Sequence, residues 1–482
     1  MAKAGAEIET YSITPTTSVM RSGCVIVGAG PAGLGPLIAA ARKGKLQELL
    51  DHGVTIVEAS ASVGRGEIGR YAISSDSAAE AFLDAITETK CPELEALLDH
   101  PVAKEIAGKI GEAVSLQTVA RFLELVGEQI CAIVRASSRG QVLLLHRALE
   151  TRQTGDGGWI TRVRNEQFGT LIEIKSKSVV LATGAAQPVS RLYSETIAGQ
   201  SLLPKYAGKV LQSGYALTSA GLKQARAELA RYQDPKVVVV GGSASAGAVA
   251  RVLLESKSRI PFGKGGVTVI HRRPMRIFYR SASDALADGY ADFSAEDICP
   301  VSGRVYRLAG FRLQTRELMM RVLRVGGRKD EPRLTLHQVS GGNQAETRKL
   351  FDEAHLIIAS MGYRPRALAV LDAAGRPIVL QCSTDEMLGM VNRSSEVLDY
   401  SCKRIAGLYG IGLAAGFVPS GSFGGEPSFR GQANSLWLWQ HDVGEQIADA
   451  VLSRVSIRAI SNAETFHGTD APIYGGQERM IS

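Results

Sequence analysis

Short, largely apolar runs recur along the chain, and two of them are closed by a glycine-rich turn and followed by a longer apolar stretch. Cys24–Val27 is the first. Gly28-Ala29-Gly30-Pro31-Ala32-Gly33 follows, then an apolar segment over 34–50, then Val54–Val57, which ends at Glu58. A brief apolar run bounded by glycine reads as a buried strand, and a longer one reads as a helix. The order is therefore strand, turn, helix, strand. The same order opens again at 236–240, with Gly241-Gly242-Ser243-Ala244-Ser245-Ala246, an Ala/Val/Leu-rich helix, a strand over 267–270 and then His271. Gly28 and Glu58 are 30 positions apart, as are Gly241 and His271. This is one architecture used twice, not a short-period solenoid.

Between the two units the pattern changes. From 77 to 137 it is helical: Ser77-Ala-Ala-Glu80 has capping-box spacing, and Phe122, Leu123, Leu125, Val126, Ile130, Ile133 and Val134 recur at helical intervals. Short strands over 142–145, 159–163 and 171–174, separated by turn residues, predict a meander running into Val179-Val-Leu-Ala-Thr-Gly184. The second unit closes at 356–363. Beyond Pro365 come a glycine-ended strand over 408–412, a Gly/Ser/Pro loop over 414–429, an amphipathic helix over 432–452 and a polar tail from 457.

Composition narrows the class. The chain has 482 residues, 45% hydrophobic and 21% charged, which suits a globular protein of two or three domains. Its 52 glycines against 6% aromatics favour tight βα turns. Lys and Arg total 55 against 48 Asp and Glu, net +7. The basic residues are scattered, so no nucleic-acid surface is expected; the excess suits anionic cofactors or small acids. The six cysteines form no CxxC, which argues against a dithiol reductase or zinc ribbon and fits a reducing cytoplasm. The first 21 residues are polar, and the apolar stretch 24–41 is broken by glycine and proline. A cytoplasmic protein without a membrane span is expected. No HxxxH or carboxylate cluster indicates a metal, and no GxSxG stands out.

The glycine turn has a specific chemistry. Gly28 permits the tight turn, Gly30 lets the backbone approach a pyrophosphate, and Gly33 lets helix pack on strand; Ala29, Pro31 and Ala32 complete the cradle. The free N–H groups of the helix start attract phosphate. Glu58, followed by Ala59, can accept both ribose hydroxyl protons. Gly35-Pro36 is expected to distort the first helix, and the segment 43–53 to lengthen it. The second turn, Gly241, Gly242, Ser243, Ala244, Ser245 and Ala246, has serine where the second glycine stands, and that hydroxyl can bond a phosphate. His271 replaces the acid, and Arg272 and Arg273 follow it, the arrangement expected for a 2′-phosphate and hence for NADPH. Two such units imply two dinucleotides, one a bound flavin and the other a hydride donor.

On these residues the chain resembles the two-dinucleotide-binding-domain flavoproteins. Val180-Leu-Ala-Thr183-Gly184 is similar to their first ATG strand, and Ala359-Ser-Met361-Gly362-Tyr363 to the second. The resemblance implies an α/β fold of two Rossmann-like domains of the glutathione-reductase-like FAD/NAD(P)-binding type, with a helical insertion at about 77–137. It implies an FAD domain over 1–205, an NADPH domain inserted at 206–366, and a return segment over 367–482. Within that group the chain is most similar to class B flavin monooxygenases of the N-hydroxylating type. Tyr206-Ala-Gly208-Lys-Val-Leu-Gln212-Ser213 resembles their FxGxxxHS motif, with Gln212 in place of His. Met361 stands for Thr, and Leu413 for the Asp that follows the last FAD strand at Gly412.

The implied activity is an FAD- and NADPH-dependent monooxygenation of a small molecule with molecular oxygen: N-hydroxylation of an amine or amino acid through a C4a-(hydro)peroxyflavin. Open alternatives are an NAD(P)H-dependent flavin reductase or dehydrogenase, a carbon- or sulfur-oxidising monooxygenase, and a non-catalytic flavin-binding partner. A homo-oligomer is compatible with all of them. Gln212, Arg70 and Tyr71 are the catalytic candidates. Ser75 and Asp76 are candidates for flavin or substrate contacts, Ser77 reads as a helix cap, and the stretch 424–434 is placed near the flavin pyrimidine. His441 reads as a packing residue, Asp442 and Glu445 as solvent-facing, and His467 as unsupported as a ligand.

Overall fold

The computed structural model describes residues 18–255, 259–384 and 389–464. The expected first strand, Cys24–Val27, lies at the centre of a six-stranded sheet. The order across it is Glu396–Leu398, Arg404–Gly410, Ser178–Leu181, Cys24–Val27, Val54–Val57 and Gly140–Leu143, parallel except at the Glu396–Leu398 edge. The inner strands are buried on both faces, which is why they read as largely apolar runs without polar alternation.

Four local expectations are corrected here. The segment after the first glycine turn is two helices, Gly35–Lys43 and Leu46–Asp51, because Gly44 caps the first in the left-handed conformation. Pro36 sits in the opening turn of its helix, where a missing N–H costs nothing, and the helix runs on to Lys43. Ser77 is no cap: Ser74–Ala78 is a strand paired with Ala113–Ser115, and the following helix is Glu80–Thr87. The Glu80 carboxylate instead accepts the Gly111 N–H at 2.8 Å. The run at 142 belongs to Gly140–Leu143, which joins the parallel sheet beside Val54–Val57 and not the meander.

The amphipathic helix Leu116–Ala136 crosses from Val54–Val57 to Gly140–Leu143 and buries Phe122, Val126, Ile130 and Val134 on one face. Removing the ring of Phe122, which is 1% exposed, would cost about 3–5 kcal/mol. The meander pairs His146–Gln153, Trp159–Asn165 and Leu171–Ser176 antiparallel, with Ser18–Arg21 and Ala369–Leu371 as edges.

The second sheet is inserted between Ser178–Leu181 and Arg404–Gly410 of the first. Its order is Val210–Gln212, Leu356–Ala359, Val237–Val240, Val267–His271 and Leu334–Gln338, all parallel. Alternation fixes its two faces: Val237, Val239, Leu356 and Ile358 enter one apolar core, and Val238, Val240, Ile357 and Ala359 the other. Ala185–Ala186, leading out of the first domain, pairs antiparallel with Arg364–Pro365, leading back. The two crossings thus form one short ribbon.

The closing helix begins later than its pattern suggests. Leu436–Gln440 is a separate turn, broken at His441, and Asp442–Glu464 follows. The polar tail from 457 continues this helix to Glu464; His467 lies outside the described residues. Among the described residues no helix is long and apolar enough to cross a membrane.

Candidate functional site: two glycine cradles facing a common seam

The first cradle is tied to its sheet by one bond. Gly28 N–H donates to the Val57 carbonyl at 2.8 Å, with Gly28 at φ +102°. A Cβ on Gly33 would collide with the Gly28 carbonyl oxygen, so that glycine serves packing. A Cβ on Gly30 would meet only the Gly66 Cα, at 3.6 Å, so Gly30 borders open space. Ala29 and Ala32 are buried, and the Leu34 N–H closes the turn on Gly30 O at 3.1 Å. The Glu58 carboxylate accepts Ala29 N–H at 2.7 Å through one oxygen and Ser60 N–H at 2.8 Å through the other. It locks the turn to the strand end and keeps further lone pairs for hydroxyl donors. Half-buried Ala59 follows it. Gly412 lies against Ala32, and Thr183 donates to the Arg366 carbonyl while Gly184 O accepts the Arg366 N–H at 2.9 Å.

The second cradle repeats the first. Gly241 N–H donates to the Ile270 carbonyl at 2.8 Å, with Gly241 at φ +133°. Gly242, Ser243 and Ala244 are exposed, and Ser245 is half-buried. Ser243 is the N-cap of Ala244–Leu254 but makes no side-chain cap bond, which leaves its hydroxyl available; Ala246 is buried below it. His271 is buried, and its Nδ1–H donates to the Arg273 carbonyl at 2.8 Å. Burial lowers its pKa, so it stays neutral. Arg272 and Arg273 are exposed, and among the described residues neither guanidinium is in an ion pair. Gly362 O accepts from Arg191 at 3.1 Å, and Met361 packs against the neighbouring core.

Both turns fit a dinucleotide pyrophosphate: open space at Gly30, exposed N–H groups and an unbonded hydroxyl at Ser243. Among the described residues no cluster of His, Cys, Asp and Glu could hold a metal.

The three catalytic candidates do not form one constellation. Tyr71 reaches across the seam, its hydroxyl 3.1 Å from that of Tyr363. Arg70 is exposed and ion-paired with Glu67. Gln212 ends its strand at the ribbon, with Nε2 3.4 Å from the Pro188 carbonyl. Ser75 is buried and bonds Ser77 O at 2.6 Å and Val114 N at 3.0 Å, a structural role. Asp76 faces Arg312, and burial pushes its pKa to about 6. His441 stacks on Trp437, bonds its carbonyl at 2.8 Å, and is held by burial at about 4. Asp442 is half-buried, not solvent-facing, and burial raises its pKa; Glu445 pairs with Lys43 at 2.9 Å.

Several contacts that support the site join residues whose partners the sequence does not reveal. Glu426 accepts Leu308 N–H at 3.0 Å and Ala309 N–H at 2.8 Å, Asn434 accepts Ala414 N–H at 3.0 Å, and Gly64 N–H donates to Ala29 O at 2.7 Å. The Gly64-x-Gly66 spacing was the one visible cue to the last of these.

A family model for pyridine nucleotide-disulphide oxidoreductases matches residues 22–296. A CMP-5'-(3-aminopropyl)phosphonate hydroxylase from Streptomyces rubellomurinus is 34% identical over 89% of this chain and 97% of that one. Two solved structures share the fold. L-lysine 6-monooxygenase from Pseudomonas syringae is 15% identical, with 90% of this chain and 100% of that chain covered at a TM-score of 0.51. An ornithine N-hydroxylase from Kutzneria, in complex with FADred, NADP+ and L-orn, is also 15% identical, with the same coverage at a TM-score of 0.50. The chain belongs to the pyridine nucleotide-disulphide oxidoreductase family and is an oxidoreductase built on two dinucleotide-binding domains.

Proposed function

We propose that this chain holds FAD in the first cradle and NADPH in the second, and N-hydroxylates a primary amine on a small anionic metabolite. The balance is amine, O2, NADPH and a proton going to hydroxylamine, water and NADP+. The observation that carries the reading is the paired geometry: Gly28 N–H to Val57 O and Gly241 N–H to Ile270 O, each 2.8 Å, in one chain. The hydroxylating Streptomyces relative, named for an aminopropyl substrate, supports the choice of an amine.

Bound FAD supplies hydride acceptance and oxygen activation; the protein supplies placement. Glu58, already fixed by two N–H groups, receives ribose hydroxyls. Arg272 and Arg273 receive the 2′-phosphate, with neutral His271 offering it no negative charge. The Tyr71–Tyr363 contact closes the seam against water.

The test is product analysis with the purified holoprotein, NADPH, O2 and 3-aminopropylphosphonate or its CMP conjugate. A hydroxylamine formed in step with NADPH consumption supports the reading. NADPH consumption yielding only peroxide, with both amines recovered unchanged, contradicts it.

A further inference from the structure

Among the described residues, three guanidinium groups outside both cradles form no ion pair with a carboxylate. Arg304, Arg307 and Arg312 belong to the stretch of chain that connects the strands Val267–His271 and Leu334–Gln338, and that stretch bonds Phe423 and Glu426 of the return segment. Among the described residues none of them is in an ion pair. Arg307 Nη1 donates to the Phe423 carbonyl at 2.7 Å and lies 3.7 Å from Cys299 Sγ. Arg312 donates one N–H to the Arg307 carbonyl and sits 4.7 Å above the Phe278 ring. The other guanidinium nitrogens of Arg307 and Arg312 bond no protein atom, and none is sealed from solvent. Arg304 is exposed at the rim.

The neighbouring carboxylates do not neutralise the group. Glu426 spends both oxygens on the Leu308 and Ala309 N–H groups. Asp76 is half-buried, and Asp442 likewise; burial makes each a weaker anion than a surface carboxylate. Arg312, besides burial, feels the attraction of Asp76 first and then the repulsion of Arg304 and Arg307. Neighbouring, mutually repelling cations with planar N–H groups to spare suit a phosphoryl or phosphonyl oxyanion, which accepts such groups two bonds at a time.

The geometry points to an oxyanion site at Arg304, Arg307 and Arg312 that takes the phosphonate or phosphate group of the amine substrate. It rests on the N-hydroxylation reading and names the substrate class: an amine with a phosphorus oxyanion attached. The same chemistry is offered by the diphosphate of NADP+, and the experiment separates the two sources.

The holoenzyme and the variants Arg304→Gln, Arg307→Lys and Arg307→Gln are titrated with 3-aminopropylphosphonate, its CMP conjugate and propylamine by calorimetry. KM values for amine and for NADPH are measured in parallel. The expected result is at least tenfold weaker binding and higher KM for the phosphonates in Arg304→Gln and Arg307→Gln, with partial rescue in Arg307→Lys. KM for NADPH and the propylamine response should stay within twofold of wild type. Phosphonate binding that is lost in the variants, in an enzyme that hydroxylates no amine, keeps the site and refutes the N-hydroxylation. Hydroxylation with unchanged phosphonate KM in the variants refutes the site alone, as does a shift confined to KM for NADPH or the absence of phosphonate binding to wild type. Arg304 is exposed, so a folding defect does not obscure that variant.

Discussion

The hydroxyl oxygens of Tyr71 and Tyr363 lie 3.1 Å apart, one from the segment after the strand Val54–Val57 of the first sheet and the other from the segment after the strand Leu356–Ala359 of the second. Burial, with Tyr71 adding to it, raises the Tyr363 pKa far above the ordinary phenol range, so the pair is a neutral hydrogen bond. A single neutral bond contributes about 0.5–1.5 kcal/mol. Tyr71→Phe is therefore expected to leave FAD content unchanged and to slow flavin reduction by NADPH by roughly three- to tenfold. Rapid mixing of the variant with NADPH without oxygen measures this directly.

The glycines of the first cradle separate folding from cofactor retention. At Gly30 a side chain meets little protein, whereas at Gly33 it meets the Gly28 carbonyl. Gly30→Val should fold but purify without FAD, while Gly33→Val should fail to fold. Circular dichroism and flavin content of the two variants decide it; a yellow Gly30→Val protein would refute the first-cradle assignment.

Among the described residues, Arg272 and Arg273, just past the strand Val267–His271, form no ion pair. If they hold a 2′-phosphate, removing either should raise KM for NADPH by roughly tenfold or more and leave KM for NADH nearly unchanged. Steady-state kinetics of Arg272→Ala and Arg273→Ala with both cofactors tests this, and equal effects on the two would refute the role.

How much was legible beforehand follows from range. Gly28, Gly30, Gly33 and Glu58 act within one strand–turn–helix–strand unit, so their spacing exposes them, and the buried strands Val54–Val57 and Val237–Val240 show as apolar runs. The break at Gly44 is hidden in the sequence because a helical pattern of apolar residues continues past this left-handed residue. Gly140–Leu143 was given to the meander because nothing local says which strand it will pair with. Tyr71 with Tyr363, and Glu426 with Leu308, are separated by 292 and 118 positions, beyond any periodicity.

His441 makes a pH prediction. Burial lowers its pKa to about 4, below the unfolded value, so the native state resists protonation. Stability from this group is fully present above about 6.5 and is lost as pH falls toward about 4, by up to roughly 3 kcal/mol. His441→Phe should be less stable than wild type at pH 7, since it loses the bond to the Trp437 carbonyl. The gap should narrow or reverse near pH 4.5, as thermal unfolding at both pH values will show.

The central claim is that two cradles in one chain bring NADPH to FAD. Its most direct measurement is the visible spectrum of the purified protein on mixing with NADPH in the absence of oxygen. The account predicts a yellow protein that NADPH bleaches faster than NADH does. A protein that stays colourless after FAD is supplied, or yellow protein that NADPH leaves unchanged, would contradict it.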